Sequence, residues 1–227
     1  MKGQNIFIFT LLLLNCCIGL NAQNSVSVFV YPNTTVRLDY ETFNINDFRS
    51  RFAKSGSLDY VYTQGNGTQV RVTCQRLGEP IQVYETPPEP ALYRIFKEFY
   101  PDGKLKEKGV YLPYQFRVGE WIQCGSYGDC HIVDNEINRG SFGYNKLLEL
   151  LEKEGYVNQR TGWNNWVSAF WYTASSQQWG VKLTKDNMVK ILTVSARTGE
   201  IVKVEEFNLP QVSTNQIKHS DYYVPVE

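Results

Sequence analysis

The sequence predicts an α+β fold: mainly antiparallel β hairpins, with a C-terminal helix packed on an antiparallel sheet. Three observations lead there. Stretches of alternating apolar and polar residues recur along the chain, separated by turn pairs such as Asn66-Gly67, Asp102-Gly103 and Thr198-Gly199; that pattern marks half-buried strands joined by tight turns. One longer stretch carries helical spacing, with Tyr144, Leu147, Leu148 and Leu151 at i, i+3, i+4 and i+7. The chain is also rich in Tyr (15), Phe (12) and Trp (5), which suit a pleated surface and are foreign to disordered chains.

Residues 1–22 read as a secretory signal peptide. Lys2 opens it, and an apolar run over residues 6–20 is broken only by Thr10, Asn15 and Gly19. The run is shorter than the roughly 20 residues a spanning helix needs, and polar residues follow at once, as after a cleaved leader. Cleavage falls between Ala22 and Gln23. A retained anchor and a lipoprotein acylated at Cys16 or Cys17 are the rivals; Asn15, rather than a small residue, precedes Cys16. The chain is thus expected to be periplasmic or extracellular, with no membrane span after cleavage.

Residues 23–90 form an N-terminal β-rich region. Strands are expected over residues 25–31 and 35–40, then a short helix over residues 47–52 capped by Asn46, with Asp47 favourable in its first turn. Residues 58–62 and 69–74 flank the Gly65-Asn66-Gly67 turn. Three prolines within residues 86–90 cannot pair in a sheet interior and read as a stiff linker.

Residues 91–138 read as a pair of hairpins, the first turning at Pro101-Asp102-Gly103. Lys104, Lys106 and Lys108 share one strand face, which is read as solvated and as protection for an edge strand. Residues 139–208 hold the helix, from a cap at Ser141 to a stop at Gly155, and about four antiparallel strands. The tail, 209–227, is polar and reads as loose.

Charge excludes some partners. The 23 basic and 23 acidic residues balance, leaving no electrostatic footprint for nucleic acid or anionic lipid. Of five cysteines, the leader carries off Cys16 and Cys17. Export favours disulfides, and Cys124 and Cys130 flank an expected turn, so they are the natural pair. Cys74 is then left over as a small buried hydrophobe.

Two stretches carry family resemblances. Phe96-Lys97-Glu98-Phe99-Tyr100-Pro101-Asp102-Gly103-Lys104-Leu105-Lys106-Glu107-Lys108-Gly109 and Val118-Gly119-Glu120-Trp121-Ile122 resemble bacterial MORN-like repeats over residues 93–123. In the second unit the usual turn is replaced by the Cys124–Cys130 loop. Residues 141–207 are similar, more weakly, to PepSY-like domains, through the helix, a Trp-rich strand and the segment Leu192 to Val202 around Thr198-Gly199. Ser195-Ala196 stands where PepSY domains commonly carry an acid. The first resemblance implies a binding or scaffolding surface. The second implies inhibition of, or docking onto, an extracytoplasmic enzyme.

The chemistry-bearing residues offer little else. His131 beside Cys130, with Asp129, Asp134 and Glu136 nearby, matches neither a Cys/His nucleophile once Cys130 is paired nor standard zinc or calcium spacing. No cofactor is implied. The expectation is a non-enzymatic exported protein acting on a protein partner, of inhibitor, immunity or scaffold type, in the bacterial envelope. Candidate contact residues are Phe99, Trp121, Trp166, Phe170 and Tyr172. A carbohydrate-binding module is the alternative, through the aromatic row of Trp166, Phe170 and Tyr172. A hydrolase with a carboxylate pair is a further one.

Overall fold

The computed structural model describes residues 25–210. The expected leader with its cleavage between Ala22 and Gln23, and the tail beyond residue 210, lie outside the described residues.

Alternation dominates the chain, and the fold follows it. Among the described residues thirteen strands and two helices run in the order β1 (Val26–Val30), β2 (Thr34–Leu38), α1 (Ile45–Ser55), β3 (Asp59–Thr63), β4 (Gln69–Thr73), β5 (Ile81–Thr86), β6 (Arg94–Phe99), β7 (Leu105–Leu112), β8 (Phe116–Cys124), β9 (Cys130–Asp134), α2 (Tyr144–Lys153), β10 (Val167–Thr173), β11 (Gln178–Lys185), β12 (Met188–Ser195) and β13 (Ile201–Asn208). They form a β1-β2 hairpin, a seven-stranded sheet β3 to β9 and a four-stranded sheet β10 to β13. Every described pairing is antiparallel.

This corrects the predicted α+β class. The fold is β-rich, with two short helices set among three antiparallel sheets. The helical period at residues 144–151 is real, but it spans only the ten residues of α2. Several of that helix's polar bonds run to the N-terminal hairpin. Tyr144 Oη and Asn145 Nδ2 donate to the Phe29 carbonyl, and Tyr31 N donates to Asn145 Oδ1 at 2.7 Å. The apolar side of α2, Tyr144, Leu147, Leu148 and Leu151, enters one continuous core that also takes in Val28, Ile122, Trp179 and Val181.

Four local expectations also change. Helix α2 is capped at Gly143 rather than Ser141, whose Oγ donates to the Arg197 carbonyl at 2.9 Å. The cap of α1 is Asn44, whose Oδ1 accepts from Asp47 N at 3.0 Å, so the helix begins one residue before Asn46. Residues 81–86 form a strand, and β5 pairs directly with β6; the proline-rich segment is the loop between neighbouring strands. The lysine-bearing strand β7 is interior to the sheet, between β6 and β8. Its Lys108 is buried, while Lys104 stays exposed and Lys106 half-buried, so the lysines do not guard an edge.

The β1-β2 hairpin lies across the seven-stranded sheet, β1 against β8 and β2 against β7. Gly119 permits this approach: a Cβ there would come within 2.6 Å of Val28 Cγ1. Among the described residues no helix is long and apolar enough to cross a membrane.

Candidate functional site

Three regions hold the chemistry-bearing residues: a charged cleft, the disulfide-closed hairpin and the aromatic sheet faces.

The cleft lies between α1 and the seven-stranded sheet, with a volume of about 480 Å³. Tyr60 and Tyr62 of β3 form one wall, stacked at 6.2 Å. At its base four charges meet. Lys97 Nζ lies 2.6 Å from Glu85 Oε1 and 3.1 Å from Glu41, and Lys108 Nζ lies 2.6 Å from Glu41. Burial works against charge on Glu41, but Lys97 and Lys108 outweigh it and hold its pKa below the usual carboxylate value. Burial likewise opposes the Lys97 ammonium, and Glu85 and Glu41 outweigh it and raise its pKa. Both carboxylates therefore face ammonium groups. A carboxylic acid catalyst needs a raised pKa, which is the reverse of what Glu41 has. The chemistry of this cluster is that of a tie between the Glu41 segment and the sheet.

The hairpin is built differently. Cys124 and Cys130 are cross-strand partners of β8 and β9 and stand at disulfide distance, 2.10 Å. Inside the ring Gly125 N donates to the Asp129 carbonyl at 2.8 Å, and Gly128 N to the Gly125 carbonyl at 2.9 Å. From outside, Tyr100 Oη donates to the Cys124 carbonyl at 2.9 Å, and Lys104 Nζ to the Ser126 carbonyl at 3.3 Å. At the tip Tyr127 is 97 % exposed. His131 and Ile132 follow on β9 and are exposed too. The nearby acids shape the chain: Asp134 Oδ1 accepts from Glu136 N at 2.8 Å, and Glu136 Oε1 accepts from Gly119 N and Arg139. Burial raises the Glu136 pKa against the opposing pull of Arg139. Among the described residues no group of three or more His, Cys, Asp or Glu side chains is placed to hold a metal ion.

The predicted contact aromatics sit elsewhere than expected. Phe99 is 2 % exposed and packs on Phe43 at 5.3 Å. Trp121 is fully buried among Phe96, Tyr111 and Tyr84, a second small core on the other face of the sheet, and the Arg117 guanidinium lies 4.2 Å from its ring. Phe170 is 6 % exposed, in contact with Trp163 and Phe116. Trp166 meets Tyr156 edge-on, and Tyr172 meets Trp179 edge-on and donates to the Asn138 carbonyl. Trp166 and Tyr172 are half-buried against the main core. The row of Trp166, Phe170 and Tyr172 therefore faces inward. A stacking row on the outside of the sheet is not what these residues make.

Tyr127 and Trp171 are exposed aromatics that lie outside the expected contact set. Tyr127 lies between the cysteines, and the small polar residues around it were the available signal. Trp171 of β10 covers Gly180 of β11, its direct cross-strand partner; a Cβ on Gly180 would fall 1.9 Å from the indole. That relation depends on strand register, which a single segment does not display.

No family model, curated protein or solved structure matches this chain. The MORN-like and PepSY-like readings remain resemblances of short motifs.

Proposed function

We propose that this is an exported, non-enzymatic binding protein that engages a protein partner through the β8-β9 hairpin. The observation that carries the proposal is Tyr127, almost fully exposed at the tip of a ring closed by Cys124 and Cys130. A tyrosine offers a large amphipathic contact for the loss of only two side-chain torsions. A loop already closed and hydrogen-bonded gives up little further freedom on binding. The disulfide also supports an oxidising compartment, in line with the leader read from residues 1–22. The partner class is an envelope protein that this chain would inhibit, neutralise or scaffold.

The test is affinity capture from envelope extract after gentle crosslinking, comparing the natural chain with Tyr127→Ala. The variant should lose the specific partner and keep its melting temperature, since that side chain is 97 % exposed. Equal capture by both proteins removes the hairpin as the binding element.

A carbohydrate-binding reading has one observation in its favour. Trp171 lies over Gly180 and is 40 % exposed, which leaves indole surface open for stacking on a sugar ring. A glycan panel read by tryptophan fluorescence checks it, with Trp171→Ala as the control that must abolish any response.

A further inference from the structure

We infer that β13 is a self-pairing edge, and that two copies of this chain join antiparallel along it, centred on Val204. The strand ends the four-stranded sheet, so one row of its main-chain groups has no neighbouring strand among the described residues. Residues 202 to 208 are all exposed. Such an edge is a template for another strand, and charged side chains ordinarily turn other strands away. Here the charges Lys203 and Glu205 do the opposite for one particular partner, while Glu206 is held by Lys190 of β12 at 3.0 Å.

Two copies related by a twofold axis normal to the sheet must place the residue on the axis opposite its own copy. Only two such registers pair nearly the whole strand. Centring on Glu205 sets two carboxylates face to face, which is destabilising. Centring on Val204 sets Val204 against Val204, Lys203 against Glu205 twice, and Ile201 against Phe207 twice. In the single chain Lys203 already reaches Glu205 along its own strand, at 2.9 Å. Across the axis each lysine meets the same chemistry on the other copy, and the sheet becomes eight-stranded. Main-chain hydrogen bonds and the apolar pairs supply the attraction, while the charges fix the register. The contact is smaller than a standard interface of about 1,600 Å², so the association is weak.

Two experiments test this on the purified protein. Sedimentation equilibrium, over a series reaching about 1 mM, should show a monomer–dimer equilibrium. Lys203→Glu and Glu205→Lys should each weaken it about tenfold by placing like charges opposite each other, and the double exchange should restore it. Independently, Val204→Cys should form a disulfide-linked dimer on mild oxidation, because directly opposed residues lie about 5 Å apart. Glu206→Cys, which faces Val202 of the other copy, should not. The inference is overturned if Val204→Cys crosslinks no faster than Glu206→Cys, or if the double exchange dimerises no better than the single variants.

Discussion

Lys97 and Lys108 stand directly opposite each other on β6 and β7, both buried, and Glu41 binds both ammonium groups. Like charges in facing positions repel, so the pair persists because a carboxylate from outside the sheet lies between them. Glu41→Gln should therefore destabilise the fold far more than an ordinary surface change. Breaking a buried ion network costs about 3–5 kcal/mol; because Glu41 retains some exposure, about 2–4 kcal/mol is expected from urea unfolding. Replacing both Lys108 and Glu41 with apolar residues should recover much of that loss.

The same network sets a pH profile. The folded pKa of Glu41 lies below its unfolded value, so its stabilisation is present above the ordinary carboxylate range and is lost as pH falls through the folded value. The folded pKa of Lys97 lies above its unfolded value, so its share is present below the ordinary lysine range and is lost as pH rises through the folded value. Urea midpoints measured against pH should show a plateau across neutrality with a fall on each side. Glu41→Gln should flatten the acid fall.

Two glycines under tryptophans should respond unequally to one methyl group. A Cβ on Gly109 would lie 2.0 Å from the Trp121 ring, and one on Gly180 lies as close to Trp171. Trp121 is enclosed by Phe96, Tyr111 and Arg117 and has nowhere to move. Gly109→Ala should cost about 3 kcal/mol, the upper end for overpacking. Trp171 can swing into solvent, and Gly180→Ala should cost about 1 kcal/mol. Paired denaturation curves give the comparison.

Removing the disulfide separates stability from recognition. The ring it closes is short, so loss of Cys124 and Cys130 together, as serines, should lower stability by about 2 kcal/mol. The chain should remain folded, because β8 is also held by β7. Capture of the proposed partner should fall much further than the unfolding midpoint, since the free loop must be ordered on binding.

What the sequence reveals here is local. Turn pairs at Asn66-Gly67, Asp102-Gly103 and Thr198-Gly199 announce hairpins that are present, and Cys124 and Cys130 announce their own closeness. What it conceals is lateral order. The lysines of β7 read as an exposed edge because alternation tells which residues share a face, and says nothing of which strands lie beside it. Glu41, their counter-charge, is 56 residues from Lys97 along the chain. The inward turn of Trp166, Phe170 and Tyr172 is hidden for the same reason. Both faces of β10 carry aromatics, and only the position of the main core decides which face is covered.

In each sheet the order of strands is the order of the chain. A polypeptide synthesised from its N-terminus can add each strand beside the one just made, closing only short loops, which are the least costly in entropy. The docking of the β1-β2 hairpin is not local in this way. Val28 must seat against Gly119, and Tyr31 must find Asn145, 114 residues later. The first hairpin to be made therefore has no place to rest until half the chain has followed.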